Sequence, residues 1–558
     1  MRSPGVIVIF GLLLSSSSAQ WVENGVPING PSEFLWMTGM TTDGSGGAIV
    51  AWYEQRGVDW DIYAQRVDSS GVVLWEPNGV PVCTAPLNQY WPEITADARG
   101  GAIVVWEHIP DGVDIYAQRV DGEGTVLWEE NGIPVVTAPA YQLYERIISD
   151  GAGGAIIVWE DERPVDCTDI YAQRIDSSGM QRWIPDGVVV CNAPDCQFDP
   201  ELTTDGEEGA IITWYDFYKV DVCVQRVDRS GNTLWEENGV CMQALGTNWK
   251  YPKITSDGAG GAIVTWQSQD TSGILGVYAQ RVDQDGVPQW AERGILVFPE
   301  DPDEYPKIAG DGSGGAVVLS SMRGLKVQRV DRGGQLKWGD SVRIGGGTGE
   351  IMITDGLNGV VVAWFYEVAG NYNIYANRVD STGTISWDST GVPVCTAPYD
   401  QRYPVLVSDG EGGVIIAWND SRHWDMGLAI YAQRVYSDGS VGGVGVEEYS
   451  NGKPLPTSIF LRNYPNPFSS ATTIEYSVSR STRISLRIHD MAGRQVKKLA
   501  DGLGEPGTYS ILWDGRHDSG RKVPSGTYFL RLAIWPAREA HAGQTGHYSA
   551  TRKVCVVR

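Results

Sequence analysis

The chain has 558 residues, 42% of them hydrophobic and 22 of them tryptophan, which excludes a disordered polypeptide and leaves room for several packed domains. Residues 451–558 carry 16 Lys and Arg against 7 Asp and Glu, the remainder 27 against 62, for a net charge of −26. So acidic a main part excludes nucleic acid and anionic membrane as its partners.

The N-terminal residues 1–19 have the form of a secretory signal peptide: Arg2, an apolar run over 6–14, small residues over 15–19 and a cleavage site at Ser17-Ser18-Ala19. That run is far shorter than the roughly 20 residues a bilayer span needs, and no other segment is long and apolar enough, so no membrane span is expected after cleavage.

From residue 20 to 440 the chain repeats itself. Residues 100–135 read GGAIVVWEHIPDGVDIYAQRVDGEGTVLWEENGIPV. Ala102, Val104 and Trp106 fall on one face of an extended segment and Ile103 and Val105 on the other, as in a strand buried on both sides. Residues 115–121 read as a second strand, 122–124 as a turn, and 125–128 as the lead into a strand ending near Asn131-Gly132. An apolar run over 146–149 completes four strands.

The unit recurs at Gly46, Gly100, Gly153, Glu208, Gly260, Gly314, Asn358 and Gly412. Four strands in about 50 residues is the size of a propeller blade, so an all-β, eight-bladed β-propeller is expected. Trp21 to Pro27, WVENGVP, matches Trp128 to Pro134, WEENGIP, while the eighth unit stops near Val435. Pairing that N-terminal strand into the last blade would leave no open edge.

Residues in repeat register are expected to be structural. These are the tryptophans (Trp52, Trp159 and Trp418 in second strands; Trp75, Trp183 and Trp387 in fourth strands), Arg66, Arg119 and Arg174 beside carboxylates or carbonyls, and the Asp-Gly turns. Cys83, Cys191 and Cys395 share one register in separate blades; Cys191 and Cys196 are the expected disulfide. No Cys or His cluster has metal-site spacing, and a structural calcium at Asp283-Gln284-Asp285-Gly286 is the one cofactor considered.

Function is expected where the repeat breaks, on the face holding the loops between second and third strands and between blades. The candidate ligand-binding residues there are Trp60, Trp91, Tyr144, Trp249, Tyr251, Tyr305, Tyr403 and Trp424, aromatic side chains suited to a glycan or protein ligand. Tyr-Pro recurs at 251, 305 and 403, which also fits rim packing. No residue is assigned as catalytic.

Segments such as 67–75, VDSSGVVLW, resemble the blade-docking motif of eight-bladed quinoprotein dehydrogenases and, more loosely, the Asp-box turn of sialidases, although three residues separate Asp from Gly and four separate Gly from Trp. In both families these motifs hold blades together. Glu160-Asp161 and Glu162 are the acids available to a hydrolase.

Residues 441–457, rich in Gly, Ser and Val, read as a linker. Strands follow over 472–478, 483–489, 495–499, 508–513 and 526–533 of a small β domain, 458–558. Asn463, Pro465, Asn466, Pro467 and Phe468, then Asp490 to Arg494, Trp513, Gly515, Gly526 and Tyr528 resemble the FlgD-like immunoglobulin fold used as the C-terminal sorting domain of type IX secretion substrates. That resemblance implies the type IX secretion machinery as partner and export through the periplasm to the cell surface or the medium. A monomeric, exported binding module is therefore expected, with a propeller enzyme (glycoside hydrolase or sialidase-like, or quinoprotein-like oxidoreductase) as the alternative.

Overall fold

The computed structural model describes residues 21–557 except 110–111, 164–166, 244–250, 270–271, 302–304, 323, 443–448, 451–452, 455–460, 465–467, 479–481, 492, 505–506 and 537–547. The predicted signal peptide and most of the predicted linker lie outside the described residues. The chain divides into two compact units at 442/443. Among the described residues, no helix is long and apolar enough to cross a membrane.

In the first unit, eight four-stranded antiparallel sheets follow one another as blades. The first consists of Leu35–Thr42, Ala48–Glu54, Asp61–Val67 and Val80–Cys83, from inner to outer strand. Inner strands of successive blades lie side by side, and Leu35–Thr42 also packs beside Gln401–Ser408 of the eighth, so the ring closes. Val26–Pro27 is the outer strand of that last blade, pairing Val26 with Ala432 and Pro27 with Tyr431. Second strands are buried except at their loop-side ends in blades two, five and seven, as their two apolar faces require.

One strand lies differently from the sequence expectation. In the second blade the outer strand is Ile133–Val136, beyond Asn131-Gly132 rather than before it. Asn131 and Gly132 are left-handed (φ 66° and 90°) and turn the chain under the second-strand tryptophan. A Cβ on Gly132 would lie 2.5 Å from the Trp106 ring, so the close approach requires glycine. Residues 125–128 form only an isolated bridge, Val126 to Val120.

The second unit contains a three-stranded sheet (Leu461–Tyr464, Thr472–Val478, Gly507–Trp513) and a four-stranded one (Gln495–Gly504, Thr482–His489, Gly526–Pro536, Tyr548–Val556). Phe468, Ile474, Leu486, Trp513, Leu530 and Val554 meet in its core. The last strand docks antiparallel along Gly526–Pro536.

Candidate functional site

The repeated polar residues are consumed by the scaffold. In the second blade, Asp97 Oδ1 accepts the amides of Arg99 and Gly101, closing the hairpin turn. Its Oδ2 accepts Nε and Nη2 of Arg119 at 3.0 and 2.8 Å. Arg119 Nη1 reaches on to the Ser177 carbonyl of the next blade, which Trp128 Nε1 also contacts. Trp21 makes the equivalent bond to Ser69 O, so ring closure reproduces an ordinary blade junction. The second-strand tryptophans are fully buried; of the fourth-strand set, Trp128, Trp235, Trp290 and Trp387 are half-buried and act as straps between blades rather than as core.

The inner strands break their ladders with a bulge at the end nearer the loop-bearing face. At its first position Trp91, Tyr144, Asp199 and Tyr403 are left-handed, with φ between 53° and 56°, and Tyr251, two residues before the inner strand of blade five, is left-handed as well. Bulky residues occupy that region only when the surroundings impose it. Here the preceding blade does so. The amide of Tyr144 donates to Glu107 Oε1 at 3.2 Å, that of Asp199 to Glu160 Oε1 at 2.7 Å, and that of Met37 to Asn419 Oδ1 at 3.1 Å. Where the acceptor is replaced by an aromatic residue the contact becomes ring on ring: Trp91 lies on Tyr53 and Tyr403 on Phe365, with centroids 5.4 and 5.3 Å apart. The bulge thus presents a side chain from each of these blades at the mouth of the central channel.

Two residues further along these strands, Glu93, Arg146, Glu201, Lys253 and Lys307 occupy one register on five consecutive blades. Arg146 bridges Glu93 at 3.6 Å and Glu201 at 3.3 Å, and Lys253 pairs with Glu201. The corresponding positions in blades seven, eight and one are Ile351, Val405 and Gly39, so the charge at this register is confined to blades two to six. Glu93 keeps 36% of its side chain exposed. Burial raises its pKa. Burial also opposes ionisation of Glu201, but the charges of Lys253 and Arg146 outweigh it and hold that carboxyl below its usual value.

Above this belt lies a group of carboxyls, Glu107, Glu145, Glu160 and Asp199. Glu107, Glu145 and Glu160 are 6%, 1% and 3% exposed. Burial pushes Glu160 up to about 8, partly offset by the Asp199 amide. Burial pushes Glu107 up to about 7, and burial together with the charge of Glu107 holds Glu145 well above the ordinary carboxylate range. Tyr144 projects from the middle of the group; burial, then the charges of Glu160, Glu107, Asp199 and Glu162, raise its pKa.

The structure brings together only part of the candidate set. Trp91, Tyr144 and Tyr403 share the mouth, 42–57% exposed, and Tyr251 stacks on Tyr305 at 4.3 Å. Trp424 is exposed farther out, against Tyr399. Trp60 is half-buried among Phe34, Tyr53 and Tyr90, hence committed to packing rather than free for a ligand. Trp249 lies outside the described residues. Asp161 is spent on Trp159 Nε1 and the Arg163 fork, which leaves Glu160 and Glu162 of the acids considered for hydrolysis.

The carboxylate of Asp283 holds its own turn, accepting the amides of Asp285 and Val287 and the Gln289 side chain. Asp216, Cys223 and Cys241 converge, but the two cysteines form a disulfide. Cys196 pairs with Cys167 across the loop of blade three, and Cys191 is a buried free thiol, which corrects the expected pairing. In the second unit the motif residues are structural. Phe468 and Trp513 meet edge to face at 5.3 Å, Trp513 packs on Tyr528, Tyr528 donates its hydroxyl to Pro524 O, and Gly515 is left-handed. Asn463 is the residue of the short first strand that pairs with Ile474, Gly526 opens the strand that pairs with the last one, and Pro465, Asn466 and Pro467 lie outside the described residues.

Sequence reasoning missed Glu107, Glu145 and Asp199. A signal existed for Glu145, which stands where blades two, four, five, six and eight carry Pro92, Pro200, Pro252, Pro306 and Pro404.

No curated protein matches the chain. Similar solved structures include a Hadza microbial sialidase, Hz136 (14% identity, 53% of this chain and 65% of that one, TM-score 0.33), and puromycin hydrolase (14%, 83% and 62%, 0.38). A third is a PL25 ulvan lyase (12%, 65% and 96%, 0.38). The chain spans less than two thirds of the length of the first two, and at these scores the likenesses carry no inference about activity. Residues 469–535 match the FlgD Ig-like domain family.

Proposed function

We propose that the chain is an exported binding module whose ligand, a glycan or a protein, docks on the loop-bearing mouth of the propeller. The observation that carries this reading is the set of half-exposed rings, Trp91, Tyr144 and Tyr403, fixed by left-handed bulges around one opening. Rigid aromatic faces bind with little loss of side-chain freedom. Export and delivery to the cell surface or medium rest on the sorting-domain resemblance of residues 463–558.

The test is to pass the purified full-length chain over glycan and peptide arrays and measure affinity for the best ligand. Trp91→Ala, Tyr144→Ala and Tyr403→Ala should each weaken it about three- to tenfold, since a ring contact is worth roughly 0.5–1.5 kcal/mol beyond area burial. Leu127→Ala on the outer rim should leave it unchanged. Unaltered affinity in all three aromatic variants would reject the mouth as the site.

A second reading, a hydrolase, is favoured by one observation: Glu160 is held protonated at neutral pH beside Tyr144, as a general acid must be. Against it, Glu107 and Glu160 each spend an oxygen on a bulge amide. Turnover of the array ligand that vanishes in Glu160→Gln while binding survives would move the assignment to enzyme.

A further inference from the structure

The repeat breaks most sharply at Glu145. Five sister blades place a buried proline at this position, blade one Thr38 and blade seven the half-buried Glu350; blade three places a carboxyl that is 1% exposed and whose Oε1 has no hydrogen-bond partner. Glu107 and Glu93 face it from blade two and Arg146 follows it in the chain. One junction further on, Asp199 Oδ2 is likewise enclosed and unpartnered. The neighbouring cations are already engaged, Arg146 by Glu93 and Glu201 and Lys253 by Glu201. Six carboxyls, Glu93, Glu107, Glu145, Glu160, Asp199 and Glu201, therefore outnumber the three cations of the belt, Arg146, Lys253 and Lys307, and a buried carboxyl without a partner is stable only when protonated or when a cation reaches it.

We propose that Glu145, with Glu107 and Asp199 beside it, receives the charged end of a lysine or arginine side chain from a polypeptide ligand. The inference rests on the mouth being the binding site and names the ligand class. Each unpartnered oxygen exposes less than 1 Å². An amine fixed to a sugar ring lies too close to its own bulk to approach a group so enclosed, whereas a slender alkyl stem carries its charge several ångströms beyond the backbone. Tyr144, with its hydroxyl near the carboxyls and its ring 57% exposed, stands between them and solvent and supplies a face for the stem and its cation. The acidic surface of the first 450 residues draws such a ligand in.

Binding a cation there drives protons off the cluster. Glu93, Glu107 and Arg146 face Glu145, and Asp199, Glu162 and Arg146 face Glu160. Since the carboxyls titrate high and lysine stays charged, affinity should climb with pH between 6 and 8, by up to about tenfold per unit for each proton released.

Calorimetry on the full-length chain tests the proposal with tri-lysine, its Nε-acetylated form and a glucosamine tetramer as probes. Tri-lysine should bind, and acetylation should weaken it at least about tenfold. Glu145→Gln and Glu145→Pro, the second restoring the residue of five sister blades, should do the same with unchanged melting cooperativity. Glu411→Gln, an exposed acid on the opposite face, should have no effect. No binding of tri-lysine, or affinity unmoved in both Glu145 variants, would overturn the proposal; Glu145-dependent binding of the glucosamine tetramer alone would overturn the ligand class. A neutral array ligand that depends on Trp91 and Tyr403 but not on Glu145 would leave the mouth reading standing and this inference refuted.

Discussion

Glu160 lies at a blade junction with one oxygen holding the Asp199 amide, and burial raises its pKa from 4.5 to about 8. The folded chain therefore binds a proton there that the unfolded chain has released. Its stabilising contribution is complete below pH 4.5 and is lost as pH rises through about 8, so stability should fall across that window. Urea unfolding of Glu160→Gln between pH 5 and 9 should show a shallower decline than the parent chain; parallel curves would place the carboxyl outside the stability balance. Part of this was legible in the sequence. Trp91, Tyr144 and Tyr403 were recognisable because they break or frame the repeat, yet Trp60, equally irregular, packs inward against Tyr53. Cys191 was misassigned because sequence proximity to Cys196 cannot reveal that Cys167, 29 residues away, lies 4.9 Å from it in Cα separation.

At the scale of the strand, alternation predicted the buried second strands, while the bulges and the Asn131-Gly132 corner escaped it, because both depend on what a neighbouring element does to the backbone. The short N-terminal strand shows how much one such element can matter. Val26–Pro27 contributes only two paired residues, but Trp21 is 2% exposed and its indole holds Ser69 O of the first blade. Burial of such a ring is worth roughly 4–6 kcal/mol by area, an upper estimate. A chain beginning at Asn29 should lose stability of that order and bare the edge of Ala429–Val435, giving a lower melting temperature and self-association in sedimentation. Melting at the parent temperature would refute closure by this strand. In the second unit, the paired last strand, Tyr548–Val556, makes truncation there a structural change as well as the loss of a tail.

Over the whole molecule, the change of charge sign near residue 450 coincides with the division into two compact units. If residues 463–558 act as a sorting signal, a chain ending at Ser450 should fold and accumulate in the periplasm of a type IX-competent cell, as followed by fractionation; normal amounts at the surface would sink that role. The sequence by itself determined the blade count, the strand that closes the ring and the immunoglobulin-like second unit. Each follows from local periodicity or from a motif repeated in register, and a repeated residue meets the same surroundings every time. Only the tertiary structure decided the site. Glu107, Glu145, Glu160 and Asp199 come from blades two to four, and what sets them apart is the surface each neighbouring blade turns toward them. That surface removes water from the carboxyls and leaves Glu145 without a partner, a property of packing across junctions that no single stretch of sequence contains.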